Sequence, residues 1–394
     1  MKKIVSVAFV LVFLLLAIVV LYIIFVLYIK PEIADGTIYI RDDGSIHPSK
    51  APISSVDNIT YTLTRNIING SIAVERENIV IDGADYTLEG TWKYTVPETW
   101  VGSKGIDLTE RSNVTIKNMK IKAFHYGIYL NGSSSNIIFG NHMTNNGAGI
   151  SLRKSSENTI SGNTMTDSAR GIYLELSSFN TLSGNEITAN YGYGIDLFLS
   201  SSNRISGNTI AHNKEVGIKI VYYSNNSISE NSITNNDKYG ILIVESSNNR
   251  AFGNSITNNK YGIYLEYSSN NTIYHNDFIG NKKYQASISR STSAWDNGTE
   301  GNYWSDYTGK DQDGDGIGET PYMITRKITP DYENQDNYPL MSRLGPPPPP
   351  FWTQLWFWTI VAAVIVALAG AVYLLKKRKP PITNISPLPS EGTK

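Results

Sequence analysis

The chain has 394 residues, a formal net charge of −1 and no cysteine. These values exclude disulfides, thiolate metal sites and a cysteine nucleophile, and leave no global field to draw the chain to nucleic acid. A length of this order allows one or two domains.

After Met1-Lys2-Lys3, residues Ile4 to Ile29 are uncharged and almost wholly apolar. Such a run exceeds a signal-peptide core and can cross about 30 Å of hydrocarbon. Residues 1–30 therefore read as a transmembrane or signal-anchor segment, with cleavage near Ala34-Asp35-Gly36 as the alternative. Residues 31–104 read as an N-terminal cap and a first irregular coil. Short strands are expected at Thr37 to Ile40 and Ile59 to Leu63, then Ser71 to Val74, Asn78 to Ile81 and Tyr86 to Leu88. Glu89 to Lys104, with Trp92, Tyr94 and Trp100, reads as a loop leaving that coil.

Residues 105–283 are a repeat. Words of the form Gly-Ile-x-Leu, with Ile in the last place at Gly217 and Gly240, begin at Gly105, Gly127, Gly149, Gly171, Gly194, Gly217, Gly240 and Gly262, in steps of 22 or 23 residues. Behind each glycine stand two asparagines five apart, from Asn113/Asn118 through Asn158/Asn163 and Asn203/Asn208 to Asn271/Asn276. A period near 22 with three short apolar words per unit points to a β-solenoid with three strands per coil. Helical repeats run longer and need 3.6 periodicity, which is absent. The fold class expected is all-β, a right-handed parallel β-helix with an N-terminal and a C-terminal transmembrane helix. Stacked coils about 4.8 Å apart make the regular part a rod of roughly 40 Å. The asparagine columns read as structural ladders, each amide bonding to the same residue one coil on and tolerating left-handed turn geometry. At Asn113 the apolar parity slips (Val114, Ile116), which predicts a bulge or altered turn.

Gly-Ile-Tyr-Leu followed by Ser-Ser-x-Asn-x-Ile-Ser-Gly-Asn-x-Ile resembles the parallel β-helix repeat of the NosD family, a CASH-type domain of pectate-lyase-like fold. The words Glu77-Asn-Ile-Val-Ile-Asp-Gly83, Gly301-Asn-Tyr-Trp-Ser-Asp306 and Asp315-Gly-Ile-Gly318 resemble archaeal members. The likeness covers roughly residues 37–342. It implies a carbohydrate-related scaffold and, by the family name, periplasmic copper handling beside an ABC transporter in maturation of a copper reductase. The repeat is specific for fold and weak for function.

Function must then lie in the variable positions. The outward place after Gly-Ile holds Asp107, Tyr129, Ser151, Tyr173, Asp196, Lys219, Leu242 and Tyr264 in successive coils. Two residues on stand Thr109, Asn131, Arg153, Glu175, Phe198, Val221, Val244 and Glu266. Tyr129, Tyr173, Phe198 and Tyr264 could stack on sugar rings, with Glu175, Asp196 and Lys219 as polar contacts. Two carboxylates on adjacent coils could also form the acid and base of glycoside hydrolysis. The competing reading is a cross-coil charge ladder, Lys219 with Asp196 and Arg153 with Glu175. No complete acid/base set stands out, so a non-catalytic glycan-binding or envelope-binding role is favoured over a polysaccharide lyase or hydrolase. Direct copper ligation is not expected: His142, His212 and His275 lie about three coils apart, and Met143 and Met165 occupy inward places.

Residues 284–342 read as a C-terminal cap. Within it Asp311, Asp313, Asp315, Ile317 and Glu319 match positions 1, 3, 5, 7 and 9 of a calcium loop, with Gly316 at position 6. Tyr322 stands where the bidentate glutamate would be, so a structural Ca²⁺ competes with a plain Asp-Gly turn. Residues 343–350 form a Pro-rich spacer and 351–375 a second apolar span opening with Trp352, Trp356 and Trp358. The basic tail 376–394 begins Lys376-Lys377-Arg378-Lys379, a strong inside signal. An uncleaved chain thus places both termini in the cytoplasm and the main domain outside. Asn-x-Ser/Thr acceptors on that outside part are Asn58, Asn69, Asn113, Asn131, Asn225, Asn270 and Asn297; Asn113 and Asn225 are the poorer ones if the asparagine columns are buried.

Overall fold

The computed structural model describes residues 33–92, 103–326 and 334–343. Both expected membrane spans, the Pro-rich spacer, the basic tail and most of the expected loop before Lys104 lie outside these residues. Among the described residues no helix is long and apolar enough to cross a membrane.

What the described residues form is an all-β parallel solenoid of about 10 turns. Each regular coil supplies a six-residue strand and two three-residue strands, as in Arg170–Glu175, Thr181–Ser183 and Glu186–Thr188. The second strands stack into an 11-stranded sheet. The first and third strands join into a 23-stranded sheet because Ile67–Val74 pairs with both Thr87–Glu89 and Lys104–Asp107. Before the first regular repeat, Ile33–Ile40 already runs parallel to Ile67–Val74, and Thr60–Leu63 runs parallel to Val80–Asp82.

Register follows from side-chain alternation, since a one-residue slip would carry the isoleucines to the water side. Ile128, Ile150, Ile172, Ile195 and Ile218 are directly paired from coil to coil and fully buried. Burying each such side chain contributes about 1.5–3 kcal/mol. Met143 and Met165 fill the same inward column as Ile187. The repeat glycines allow close approach between coils: a Cβ on Gly194 would stand 2.6 Å from the Gly217 carbonyl oxygen.

The corners explain the asparagines, with two corrections. Asn208 is representative: its amide nitrogen donates to the Leu182 and Ser206 carbonyls and to Asn231 Oδ1, at 3.0, 3.2 and 2.9 Å. Its own Oδ1 accepts from the backbone and side-chain amides of Asn185. The residue in left-handed geometry is the one before the asparagine, such as Glu157, Phe179, Ser202 and Asn225, so that part of the expectation fails. The second correction concerns Asn113 and Asn118, which stand one place out of register. Val114 and Met119 occupy their ladder positions, donating backbone amides to Asn136 and Asn141. The strands beside them pair without interruption, Thr115↔Ile137 and Ile116↔Ile138, so the expected bulge does not occur. Asn113 is exposed as a result, and Asn225 is exposed as well.

A third asparagine column escaped the sequence reading. Asn146, Asn190, Asn213, Asn236, Asn259 and Asn281 are all buried three or four residues before the next repeat position. They donate to carbonyls of an earlier coil, as Asn213 does to Ile187 at 3.2 Å. The rod's C-terminal end is closed by aromatic rings. Trp304 lies between Phe278 and Tyr322 at 4.5 and 4.2 Å, and Trp295 is fully buried beside it.

Candidate functional site

The outward face of the first strands is where sequence reasoning placed the chemistry, and its columns are in register there. Tyr173, Asp196 and Lys219 are direct neighbours across three coils. Asp196 is the best-enclosed of them. Its side chain is only 4% exposed, with Arg170 Nε 3.1 Å from Oδ2 and Lys219 Nζ 3.7 Å from Oδ1. The Lys219 ammonium is too far for a hydrogen bond, so Oδ1 is buried without one. Burial pushes the Asp196 carboxyl above its ordinary range, and Lys219 and Arg170 pull it back only in part.

Arg170 is the residue that sequence reasoning missed. It precedes the repeat glycine, and a third outward column exists there: Lys104, Tyr126, Arg170, Tyr193, Tyr239 and Tyr261. Aromatic rings from the two columns pack on each other and on cations. Arg170 sits 4.8 Å over Tyr173, Lys219 4.5 Å over Tyr193, and Lys104 4.3 Å over Tyr129. Tyr126 stacks on Tyr129 at 5.0 Å, and Tyr239 stacks on Tyr261 and Tyr264 at 4.8 and 5.6 Å. Burial, with Glu175 and Asp196 nearby, pushes the Tyr173 hydroxyl up to about 12.

In this packing an outward-pointing side chain is not always an exposed one. Tyr264 and Asp196 point away from the core yet are 5% and 3% exposed, because coils one strand apart cover them with their own side chains. Tyr129, Tyr173, Glu175, Phe198 and Lys219 stay half-buried, and Phe198 meets Tyr222 edge-on at 5.7 Å. The charge ladder is present: Arg153 reaches Glu175 at 3.7 Å and Lys219 reaches Asp196. Lys104 holds Asp107 at 2.7 Å. Three outward carboxylates are therefore each held by a cation.

The acidic loop lies apart from this face, in the C-terminal cap. Ligand oxygens of Asp311, Asp313 and Asp315 come within 4.8 Å of one another. Asp311 also accepts the Gly314 and Gly316 amides, and Asp315 accepts the Ile317 amide. Glu319 turns to the Gln312 amide at 2.6 Å. Carboxylate oxygens of this kind suit Ca²⁺ or Mg²⁺.

Fold and face together define a parallel β-helix solenoid with a polar and aromatic outward face. Residues 56–225 and 197–309 match the family described as periplasmic copper-binding protein (NosD), and the chain belongs to that family. No curated protein sequence matches the chain. Among solved structures, a mutant of the periplasmic alginate epimerase AlgG is similar at 17% identity, covering 64% of this chain and 70% of that one, with TM-score 0.49. The Dettilon tailspike protein is similar at 16% identity, covering 63% and 58%, with TM-score 0.45. A mutant DFA-IIIase of Arthrobacter chlorophenolicus A6 is similar at 12% identity, covering 59% and 63%, with TM-score 0.46.

The copper in the family's description finds no matching donor set among the described residues. Their one converging group of three histidine or acidic ligands is the hard-oxygen trio at Asp311, Asp313 and Asp315. His275 is engaged by Glu300 at 2.6 Å, and Met143 and Met165 are sealed in the core.

Proposed function

We propose that this chain is an extracytoplasmic β-helix that binds a glycan or other envelope polymer along the outward face of its first strands, without cleaving it. Its two apolar ends would hold it at a membrane. The observation that carries the reading is the state of the outward carboxylates. Asp107, Glu175 and Asp196 are each tied to a cation, which leaves Glu266, three coils from Asp196, as a lone unpaired carboxylate among the described residues of these columns, while half-buried rings such as Tyr129 and Tyr173 run beside them. A glycoside hydrolase needs two carboxyl groups free to exchange protons and attack the sugar. Ion-paired carboxylates with stacking rings suit recognition instead. The acidic loop at Asp311, Asp313 and Asp315 is proposed as a separate structural Ca²⁺ site.

The test is a polysaccharide panel applied to the full-length chain, scored for retention and for product release. Retention without new reducing ends or unsaturated sugars supports the reading. Product release that is lost in Asp196→Asn would replace it with a lyase or hydrolase. Co-purification with an ABC transporter in the absence of any glycan binding would favour the accessory role that the family name suggests.

A further inference from the structure

Among the described residues most of the outward face is filled by its own side chains, but its N-terminal end is not. A cleft of about 530 Å³ opens there, floored by Gly70, Ser71 and Ala73. Its origin is a size mismatch between stacked coils. Ala73 lies in register between Tyr39 on one side and Asp107 on the other, and Gly70 lies beside Gly36. Two larger outward residues therefore flank a coil that has almost no outward bulk. The volume is in the range that holds a small ligand.

The lining is polar and electrically balanced. Lys104 and Asp107 neutralise each other at 2.7 Å, and Asp107 also accepts the Thr109 amide and hydroxyl. Thr37 and Ser71 share a hydrogen bond at 3.1 Å. The Asn69 amide and the Thr91 hydroxyl are exposed on the rim with no partner among the described residues. The Tyr39 ring stands at one wall under the Arg41 guanidinium, which is itself paired with Glu75. Past Lys104 the surface continues directly onto the Tyr129 and Tyr126 rings.

We propose that this cleft is a subsite for one neutral sugar residue of a longer chain, whose next residues lie on Tyr129 and Tyr126. The inference rests on the glycan-binding reading and adds the place and the ligand class. Unspent amide and hydroxyl groups match sugar hydroxyls, which both donate and accept. An anionic sugar would have to displace Asp107 from Lys104, and among the described residues that line the cleft there is no second cation to replace it.

The experiment measures binding of the full-length chain to maltohexaose, cellohexaose and mannohexaose, with polygalacturonate as the anionic probe. Ala73→Trp fills the floor, and Asn69→Gly removes the rim amide while keeping its left-handed turn, φ 56°. The expected result is binding of at least one neutral hexaose, weakened about tenfold or more by Ala73→Trp and several-fold by Asn69→Gly. Unchanged neutral binding in both variants overturns the proposal. Binding of polygalacturonate alone also overturns it, and leaves glycan binding standing at Arg170 and Lys219. Binding of no probe removes both readings. Asn69→Gly decides the matter should Ala73→Trp fail to fold.

Discussion

Arg170 Nε lies 3.1 Å from Asp196 Oδ2, one coil away, and that contact makes a buried carboxylate tolerable on the outer face of the rod. A buried charge that loses its partner costs several kcal/mol, less where the partner is partly exposed. Arg170 is 42% exposed and Lys219 remains near the other oxygen, so Arg170→Met should cost about 1–2 kcal/mol. The pH dependence is the sharper readout. Removing Arg170 raises an Asp196 pKa that burial already holds high. Protonation then relieves the buried charge, so the loss should be larger at pH 8 than at pH 5. Equal losses in urea melts at both pH values would refute this role for Arg170.

The ladder asparagines should separate cleanly from the one that only looks like them. Asn208→Ala strips a buried carbonyl at Leu182 and a buried amide at Asn185 of their partners. Unsatisfied buried backbone groups cost about 1–3 kcal/mol each, so a loss of about 3 kcal/mol is expected. Asn113→Gly keeps the left-handed turn and removes only an exposed bond to Asn78, so it should stay within about 0.5 kcal/mol. Equal melting temperatures for the two variants would mean that the column has been misassigned.

The contrast between those two asparagines shows how far the sequence could be read. Isoleucine alternation and the 22-residue step are local signals, and they give the coil, its inward residues and the order of the outward columns. Asn113 is five residues before Asn118, as Asn136 is before Asn141, but it lies eight residues after its glycine instead of nine. That offset was in the sequence, whereas the hydrogen bonds of Val114 and Met119 were not. The third column was legible as well, since it stands five residues after the second asparagine of each pair, but its distance to the next glycine varies between three and four residues and Ser168 interrupts it. Outwardness was legible and exposure was not: Tyr264 and Asp196 are covered by residues one coil away, about 22 positions distant in sequence. The N-terminal cleft was illegible for a related reason. It arises from what Ala73 and Gly70 lack relative to their neighbours, which appears only once Tyr39 and Asp107 are placed in register with Ala73.

Asp336 gives the C-terminal cap its own pH response. Its carboxylate accepts the Asn302 amide, the Trp304 indole and the Tyr338 amide, yet burial outweighs these bonds and pushes it up to about 6. A folded pKa above the ordinary carboxylate value favours the folded state at low pH. That stability is fully present below about pH 4 and is lost as pH rises through 6, by up to about 2–3 kcal/mol. Asp336→Asn is neutral throughout, so it should be better tolerated at pH 7.5 than at pH 4.5. Thermal melts of both proteins at the two pH values decide it, and the reverse ordering would show that the hydrogen bonds win over burial.

Calcium should act on the same cap from its other side. Asp311, Asp313 and Asp315 gather within 4.8 Å, and the Gly316 carbonyl behind them accepts the Met341 amide, which ties the acidic loop to the chain that closes the rod. A cation drawing the three carboxylates together would relieve their mutual repulsion and stiffen that closure. At a hundred times its dissociation constant a ligand specific to the folded state stabilises by about 2.7 kcal/mol. For a domain of this size such a gain corresponds to a rise of several degrees in melting temperature. The rise should vanish with a chelator and in Asp313→Asn/Asp315→Asn. Mg²⁺ should act more weakly, because the loop does not impose octahedral geometry. A melting temperature indifferent to Ca²⁺ in the wild type would leave the loop as a turn held by its own Asp-to-amide bonds.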